Sequence, residues 1–127
     1  MADRARRRRR RLSRSGEFER VYREGRSHAS RYLVVYAFPR PDDDEEPRLG
    51  ISVGRKLGGA VERNRVKRLL RDAFWARAGD LKEGHDFVIV ARPAAGELAD
   101  QGGERAIEEA LGEVLAGAGL AREEVEE

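Results

Sequence analysis

Residues 48–74 have the sequence RLGISVGRKLGGAVERNRVKRLLRDAF, and the hydrophobic period changes once along this stretch. Apolar residues alternate with small or polar ones over residues 48–56, which is the period of a β-strand. The pair Gly58-Gly59 then interrupts the alternation. Over residues 60–78 the apolar residues recur at helical spacing and form one stripe of Val66, Leu69, Leu70, Ala73 and Phe74. A strand followed by a long amphipathic helix is therefore the unit around which the rest of the fold is predicted.

The segments on either side of this unit also carry periodic apolar patterns. They predict a short helix over residues 15–24, strands over residues 32–38 and 87–91, and a second amphipathic helix over residues 104–116. Gly25 fits a helix stop, and we expect the strands over residues 32–38 and 48–56 to form an antiparallel hairpin. The element order α-β-β-α-β-α indicates an α/β fold, a two-layer α+β domain with a small sheet.

Length and composition exclude several classes of protein. The chain has 127 residues, which suits one domain. It has no cysteine and only two histidines, which excludes disulfides, thiolate metal sites and a histidine-rich metal cluster. The longest apolar run, residues 32–38, is far shorter than the ~20 residues of a membrane span, and no apolar stretch follows the basic N-terminus as in a signal peptide.

From these features we expect a soluble, cytoplasmic protein without a membrane segment. Its predicted parts are a flexible arginine-rich arm over residues 1–12, a single domain over residues 13–118 and an acidic tail over residues 119–127. The arm is assigned because a run of like charges cannot bury apolar area.

Charge is distributed unevenly along the chain. Residues 1–78 hold 22 basic and 11 acidic residues, a net charge of +11, whereas residues 79–127 hold 4 and 13, a net charge of −9. A basic half of this kind indicates a polyanionic partner. Of the 26 basic residues 23 are arginine, whose planar fork binds phosphate with two bonds. A GC-rich coding genome would give the same arginine excess, and composition does not separate the two causes.

The strongest candidate site lies at the start of the long helix. Its residues are Arg63, Asn64, Arg65, Lys67, Arg68 and Arg71. Helix N-terminal amides favour anions, arginine adds charge-assisted bonds to phosphate, and an asparagine side chain can bond to a base edge or a ribose hydroxyl. The alternative is a merely solvated helix face. We favour nucleic-acid binding, because only Glu62 and Asp72 interrupt the basic series and solvated helices usually alternate their charges.

Aromatic residues form a second candidate site. They are Phe18 and Tyr22 on the first helix and Tyr36 on the first strand. Paired aromatics on a helix usually belong to a core. However, the polar face of residues 50–54 carries only glycine and serine, which leaves a groove rather than filling it. A groove walled by aromatics and rimmed by Arg48 and Lys56 suits a single strand with stacked bases. On the residues alone, core and groove are equally favoured.

The remaining motifs carry little chemistry. Residues 42–46 lack the alternating ligands and the glycine of a calcium loop, so we expect a solvated turn there. His85 and Asp86 have no other metal ligand nearby in sequence, which favours a plain loop before a strand. No phosphate-binding loop, nucleophile elbow or placeable carboxylate pair occurs. We therefore expect no catalytic residue and no cofactor bound by a recognisable motif in this chain.

Taken together, these segments resemble the bacterial ribonuclease P protein component. The resemblance is carried by residues 48–56, by Gly-Gly-Ala-Val over residues 58–61, and by residues 63–71 with Phe74. The upstream pattern Phe18-x-x-Val-Tyr-x-x-Gly25, the strand containing Tyr36 and the downstream residues 86–93 follow in the family's order and spacing. The resemblance covers roughly residues 12–116, and the Arg-Asn-Arg block with these flanking residues is highly specific for the family.

The resemblance implies a ribonuclease P protein-like fold, a small mixed sheet with helices and a left-handed βαβ crossover, although right-handed crossovers are the general rule. By position it implies an RNA-binding block made of Arg63, Asn64 and Arg65, extended by Lys67, Arg68 and Arg71. It also implies a leader-binding cleft made of Phe18, Tyr22, Val34, Tyr36, Ser52 and Lys56, which favours the groove over the core.

In such a family the RNA subunit holds the magnesium-dependent active site that removes 5′ leaders from precursor tRNA. We therefore expect an accessory subunit of an endoribonuclease whose partners are ribonuclease P RNA and precursor tRNA, with no protein partner implied. Mg²⁺ is expected in the RNA subunit, and the sequence does not indicate whether the protein itself binds metal ions. The alternative is a ribosomal or other structural RNA-binding protein, which the charge pattern suits equally well. A nuclease that uses His85 or Asp86 is a less favoured third possibility.

Overall fold

The computed structural model describes residues 10–11, 15–39, 47–77 and 84–119, and at residues 10–11 and 15–18 it describes the backbone only. The strands are β1 (Arg10–Arg11), β2 (Arg26–Ala29), β3 (Leu33–Pro39), β4 (Arg48–Val53) and β5 (His85–Ala91). The helices are α1 (Ser15–Glu24), α2 (Ala60–Ala76) and α3 (Ala94–Gly117), and a short 3-10 turn spans Arg55–Leu57.

Most predicted elements are present near their predicted bounds. The bounds of α1 match the prediction, and those of β3, α2 and β5 differ from it by only one or two residues. β4 ends at Val53, before the predicted end at residue 56, because the chain enters the 3-10 turn at Arg55. Two residues of the predicted arm, Arg10 and Arg11, form the short strand β1. The rest of the arm, the acidic turn at residues 42–46 and the tail beyond residue 119 lie outside the described residues.

The sequence pattern predicts only the second part of α3. The helix begins at Ala94, departs from helical backbone angles at Gly103 (φ 62°, ψ −148°) and then continues to Gly117. Glycines at positions 102 and 103 break the apolar period, which is why the pattern alone places the start of this helix at residue 104.

The strands form one mixed sheet in the order β1-β4-β5-β3-β2. β5 pairs in parallel with β4 and antiparallel with β3, so it separates the two strands that were expected to be neighbours. The predicted antiparallel hairpin is therefore wrong. Because residues 87–91 are all apolar, this strand favours the central position, where both of its faces and both of its edges are covered. β3 pairs with β2 instead, whose sequence Arg-Ser-His-Ala has no apolar alternation that could predict a strand.

β4, α2 and β5 form a βαβ unit in which the helix connects two neighbouring parallel strands. The left-handed sense of this crossover stays a prediction from the family resemblance. The predicted fold class, an α/β domain with a small mixed sheet, is confirmed. No helix within the described ranges is long and apolar enough to cross a membrane.

The two faces of the sheet are covered unequally. α2 and α3 pack on one face and enclose the main core. Its largest fully buried side chains include Leu33, Leu70, Phe74, Phe87, Ile89, Ile107 and Leu111. α1 lies on the other face, where Val21 packs against Val88 among side chains that are only partly buried. Each large apolar side chain in the main core contributes about 1.5–3 kcal/mol relative to full exposure, so the fold is stabilised mainly from the α2–α3 side.

Gly25 follows the end of α1, as predicted. Glycine is needed at this position because the backbone packs closely there. Its N–H donates to the carbonyl oxygen of Val21 at 2.9 Å. A Cβ atom at this position would lie 2.5 Å from that oxygen and 2.6 Å from the carbonyl oxygen of Ala37 on β3. Since its φ angle is not positive, glycine is required by the close approach of the helix end to the sheet.

A buried ion pair joins the first part of β4 to that of β5. Arg48 donates from Nε to Asp86 Oδ1 at 2.9 Å and from Nη2 to Asp86 Oδ2 at 2.8 Å, and the Asp86 side chain is fully buried. His85 and Asp86 are the first two residues of β5, so the plain loop predicted for them is wrong. Both charges are removed from water, so the pair fixes the relative position of the two parallel strands.

We expect Asp86→Ala to lower the free energy of unfolding by about 3–5 kcal/mol, because the Arg48 charge stays largely buried without this partner. The double variant Arg48→Met/Asp86→Leu removes both charges and should recover most of that loss. Urea denaturation followed by circular dichroism measures both values. The control Asp72→Asn alters an exposed acid on α2 and should change stability by less than about 0.5 kcal/mol. A loss for Asp86→Ala as small as the control's would contradict this account.

Candidate nucleic-acid interface

The sheet face beneath α1 brings together the predicted cleft residues of β3 and β4. Val34 of β3 lies opposite Val90 of β5, which lies opposite Ser52 of β4, so these side chains form one row across the sheet. Tyr36 begins the next row, with Val88 beside it on β5. Residues two apart on a strand point to the same face, so both rows share one surface. We call the surface made by Tyr22, Val34, Tyr36, Ser52 and Val90 the aromatic cleft.

The aromatic cleft is partly open. Val34, Tyr36, Ser52 and Val90 are half-buried, whereas the intervening β3 residue Val35, on the opposite face, is fully buried. The difference arises because the ten-residue helix α1 covers the cleft face, while the longer helices α2 and α3 cover the other. This partial burial favours the groove over a filled core.

Tyr22 of α1 and Tyr36 of β3 meet over the floor of the aromatic cleft. Their ring centroids are 4.8 Å apart and their planes stand at 85°, an edge-to-face contact. A side-chain hydrogen bond also joins Tyr22 to Ser52. Burial raises the pKa of the Tyr22 hydroxyl and the nearby Tyr36 adds to the rise, whereas the bond with Ser52 acts in the opposite direction. The hydroxyl is therefore neutral at physiological pH and does not repel an anion.

The other residues predicted for the cleft have different positions. Phe18 precedes Tyr22 by about one turn of α1, and its side chain lies outside the described residues. Lys56 is exposed in the 3-10 turn after β4. Arg48 lies on the same face of β4 as Ser52, but its guanidinium binds Asp86 and its side chain is only 17% exposed.

Sequence reasoning missed two residues that extend the cleft. Phe38 follows Tyr36 by two positions and lies on the same face of β3. The guanidinium carbon of Arg20 lies 5.3 Å from the centroid of its ring, which is a cation–π contact. The alternation of β3 could have identified Phe38. Arg20 could not be found in this way, because its contact depends on how α1 docks on the sheet.

The second candidate site is the outward face of α2. On the inward face, Val66, Leu70, Ala73 and Phe74 are buried. Outward, Asn64, Arg68 and Arg71 are exposed, and Arg63 and Lys67 are half-buried. Among the described side chains, those of residues 19–39, 47–77 and 84–119, no acid forms an ion pair with these five. We call the five residues Arg63, Asn64, Lys67, Arg68 and Arg71 the basic ridge.

Two further residues of α2, Arg65 of the predicted RNA-binding block and Trp75, make contacts within the protein. Arg65 donates from Nη1 to Asp100 Oδ1 at 2.8 Å and from Nη2 to the carbonyl oxygen of Ala99 at 3.0 Å, both on α3. Asp100 belongs to the part of α3 that the sequence pattern does not predict, so this pairing was missed. Trp75 packs against the main core, with its ring edge-on to Phe74 at a centroid distance of 4.9 Å.

The aromatic cleft and the basic ridge lie on different sides of the sheet. The cleft is on the α1 face, whereas the ridge is on α2, which covers the opposite face. The segment from β4 to α2, which contains Lys56, links the two surfaces. No group of three or more His, Asp or Glu side chains able to hold a metal ion is found among the residues that the structure describes. The arrangement places stacking surfaces on one side of the sheet and cations on the other.

Comparison with known proteins is consistent with this arrangement. The family model described as Ribonuclease P matches residues 7–115. The ribonuclease P protein component of Bacillus pumilus is 44% identical over 90 residues, which are 71% of this chain and 75% of that protein. Its counterpart from Clostridium acetobutylicum is 45% identical over 84 residues, which are 66% of this chain and 71% of that protein.

Solved structures agree with the sequence comparisons. The RNase P protein of Staphylococcus aureus is 34% identical, with a TM-score of 0.77 over 87% of this chain and 95% of that chain. The RNase P protein of Thermotoga maritima is 32% identical, with a TM-score of 0.73 over 84% of this chain and 96% of that chain. The matched region contains both the aromatic cleft and the basic ridge. The chain therefore belongs to the ribonuclease P protein family.

Proposed function

We propose that this chain is the protein subunit of a bacterial ribonuclease P and that it aids removal of the 5′ leader from precursor tRNA in the cytoplasm. The observation that carries the proposal is an open aromatic cleft on the side of the sheet opposite a basic ridge, in a member of this family. The ridge binds the catalytic RNA and the cleft holds the leader. The bond-breaking chemistry belongs to the RNA subunit.

The basic ridge suits a structured RNA because its charges stand on a fixed helix. The inward face of α2 is anchored in the main core, so the spacing of the outward side chains is set before RNA binds. Arginine binds phosphate with two bonds, and Asn64 can bond to a base edge or a ribose hydroxyl. Release of counterions from the RNA then favours association.

The aromatic cleft suits an unpaired strand in extended form. The rings of Tyr22 and Tyr36 are surfaces on which bases stack, and half-buried Val34 and Val90 add apolar contact at the floor. The exposed ammonium of Lys56 follows β4 and can neutralise a backbone phosphate. Stacking tolerates any base, and such a cleft therefore accepts leaders of differing sequence.

Asp86 is poorly placed for catalysis. Asp86, the acid considered for a nuclease, is fully buried and bound by Arg48 through both carboxylate oxygens. A general base must come within hydrogen-bond reach of the proton that it abstracts, which this carboxylate cannot do. Its burial supports the assignment of the magnesium-dependent chemistry to the RNA subunit.

Binding two RNAs aids the reaction in two ways. A leader held in the cleft orients the precursor so that the scissile phosphate lies at the active site of the RNA subunit, a positioning effect. The cations of the ridge also reduce repulsion between the two RNAs, so that less magnesium is required.

Reconstitution separates this proposal from its alternative, a structural RNA-binding protein. The full chain is mixed with a transcript of bacterial ribonuclease P RNA and a precursor tRNA at low magnesium. We expect the protein to stimulate cleavage at the mature 5′ end, and to cleave nothing when the RNA subunit is omitted. Binding without stimulation would favour the structural protein. Cleavage by the protein alone would favour the nuclease.

Replacing Tyr22 with alanine should weaken binding of a leader-containing precursor to the assembled enzyme by about 1–3 kcal/mol, because one stacking surface is lost. Affinity for mature tRNA, which lacks a leader, should be nearly unchanged. The matched control Tyr22→Phe keeps the ring and should lose less. Fluorescence anisotropy with both tRNAs measures the difference, and equal losses for the two RNAs would place Tyr22 outside the leader site.

Arg68→Ala should weaken binding to ribonuclease P RNA and reduce the slope of log K against log salt by roughly 0.7–0.9, because one phosphate contact is lost. Arg105→Ala is the control, since it removes an exposed arginine of α3 that is paired with Glu109 at 3.5 Å, and it should change neither quantity. Titrations at several KCl concentrations give both slopes. If Arg68→Ala leaves the slope unchanged, Arg68 does not contact phosphate.

A further inference from the structure

Arg65 has a different environment from its neighbours on α2, because α3 holds its guanidinium. Nη1 donates to Asp100 Oδ1 at 2.8 Å, and Nη2 donates to the carbonyl oxygen of Ala99 at 3.0 Å. The Arg65 side chain is nevertheless 39% exposed. The guanidinium is therefore fixed by two bonds and still accessible from solvent.

The Ala99 carbonyl is a suitable acceptor because α3 is interrupted shortly after it. The backbone is non-helical at Gly103, so the first helical segment ends there. The last carbonyls of a helical segment lack donors within the helix, and they form the negative end of its dipole. Ala99 lies in the last turn of this segment, and Arg65 places its positive charge at that end, next to the carboxylate of Asp100.

The two bonds leave part of the guanidinium available to a ligand. An arginine fork carries further N–H donors beyond the two that face α3. Arg65 also lines a cavity of about 370 Å³ between α2 and α3, and the acids Glu62, Glu97 and Asp100 line it too, so a phosphate is expected at the donors that face solvent and not inside this cavity. Because its rotation is already restricted, Arg65 loses less side-chain freedom on binding than an untethered arginine.

We propose that Asp100 is a positioning residue of the RNA-binding surface and that it acts through Arg65. This inference rests on the proposed function of the basic ridge, and it adds to that surface a residue of the acidic helix α3. Asp100 does not contact RNA phosphate itself. Its carboxylate holds the plane of the Arg65 guanidinium, so that the remaining donors meet a phosphate in an orientation set before binding.

The sign of the effect distinguishes positioning from simple charge repulsion. Removing the negative charge of Asp100 makes the protein more basic, and long-range electrostatics alone would then strengthen RNA binding. Loss of the tether acts in the opposite direction, because the freed guanidinium must be ordered by the RNA. Weaker binding of a variant without the Asp100 carboxylate is therefore evidence for positioning.

The experiment measures affinity of the full chain for a transcript of bacterial ribonuclease P RNA by filter binding at several KCl concentrations. We expect Asp100→Ala to raise Kd by about threefold to tenfold, with no decrease in the salt slope because the Arg65 charge is retained. Asp100→Asn should give a similar loss, and Asp100→Glu should restore part of the affinity. In an Arg65→Ala background, Asp100→Ala should cause no further loss. Thermal unfolding of each variant confirms that the fold is retained.

The control Glu104→Gln removes an exposed acid from α3 and should leave Kd unchanged or slightly lower. The inference is overturned if Asp100→Ala binds as tightly as the unmodified chain or more tightly, or if it weakens binding equally when Arg65 is absent. Those results, together with a loss for Arg68→Ala, would leave the proposed function standing. If both Arg65→Ala and Arg68→Ala bind normally, α2 is not an RNA-binding surface and the proposed function of the ridge fails as well.

Discussion

The rest of the structure depends on the central position of β5. Residues 87–91 are apolar at every position, and a strand of this kind is favoured in the interior of a sheet that helices cover on both faces. β5 takes such a position between β3 and β4, with α2 and α3 on one face and α1 over part of the other. It also places Val34 and Ser52 in one row with Val90, although they lie far apart in sequence. The cleft floor is therefore a consequence of where one apolar strand must lie.

The unequal cover of the sheet separates the two candidate surfaces. α2 and α3 enclose a main core on one face, and the anchored α2 presents the basic ridge outward. The short helix α1 leaves much of the other face half-buried, so that Tyr22 and Tyr36 border an open cleft. A chain of 127 residues thereby carries two surfaces of different chemistry, with the sheet between them.

The sequence predicts those features that depend on local period. The stripe from Val66 to Phe74 identifies α2 and its outward face, because a helix places residues three and four apart together. The neighbour of each strand could not be predicted, since pairing of β5 with both β3 and β4 depends on burial of the whole sheet. Two long-range ion pairs could not be predicted for the same reason. Arg48 and Asp86 lie 38 positions apart, and Arg65 and Asp100 lie 35 positions apart.

The central claim is that the two surfaces engage different RNAs. Because the chain has no cysteine, single thiols can report on each surface, as Val34→Cys in the cleft and Arg71→Cys on the ridge. The measurement is the rate of thiol alkylation with catalytic RNA alone, with mature tRNA added, and with precursor tRNA added. The account predicts that catalytic RNA alone protects Arg71→Cys and that only the precursor protects Val34→Cys. Protection of both thiols by catalytic RNA alone, or of neither by the precursor complex, would contradict it.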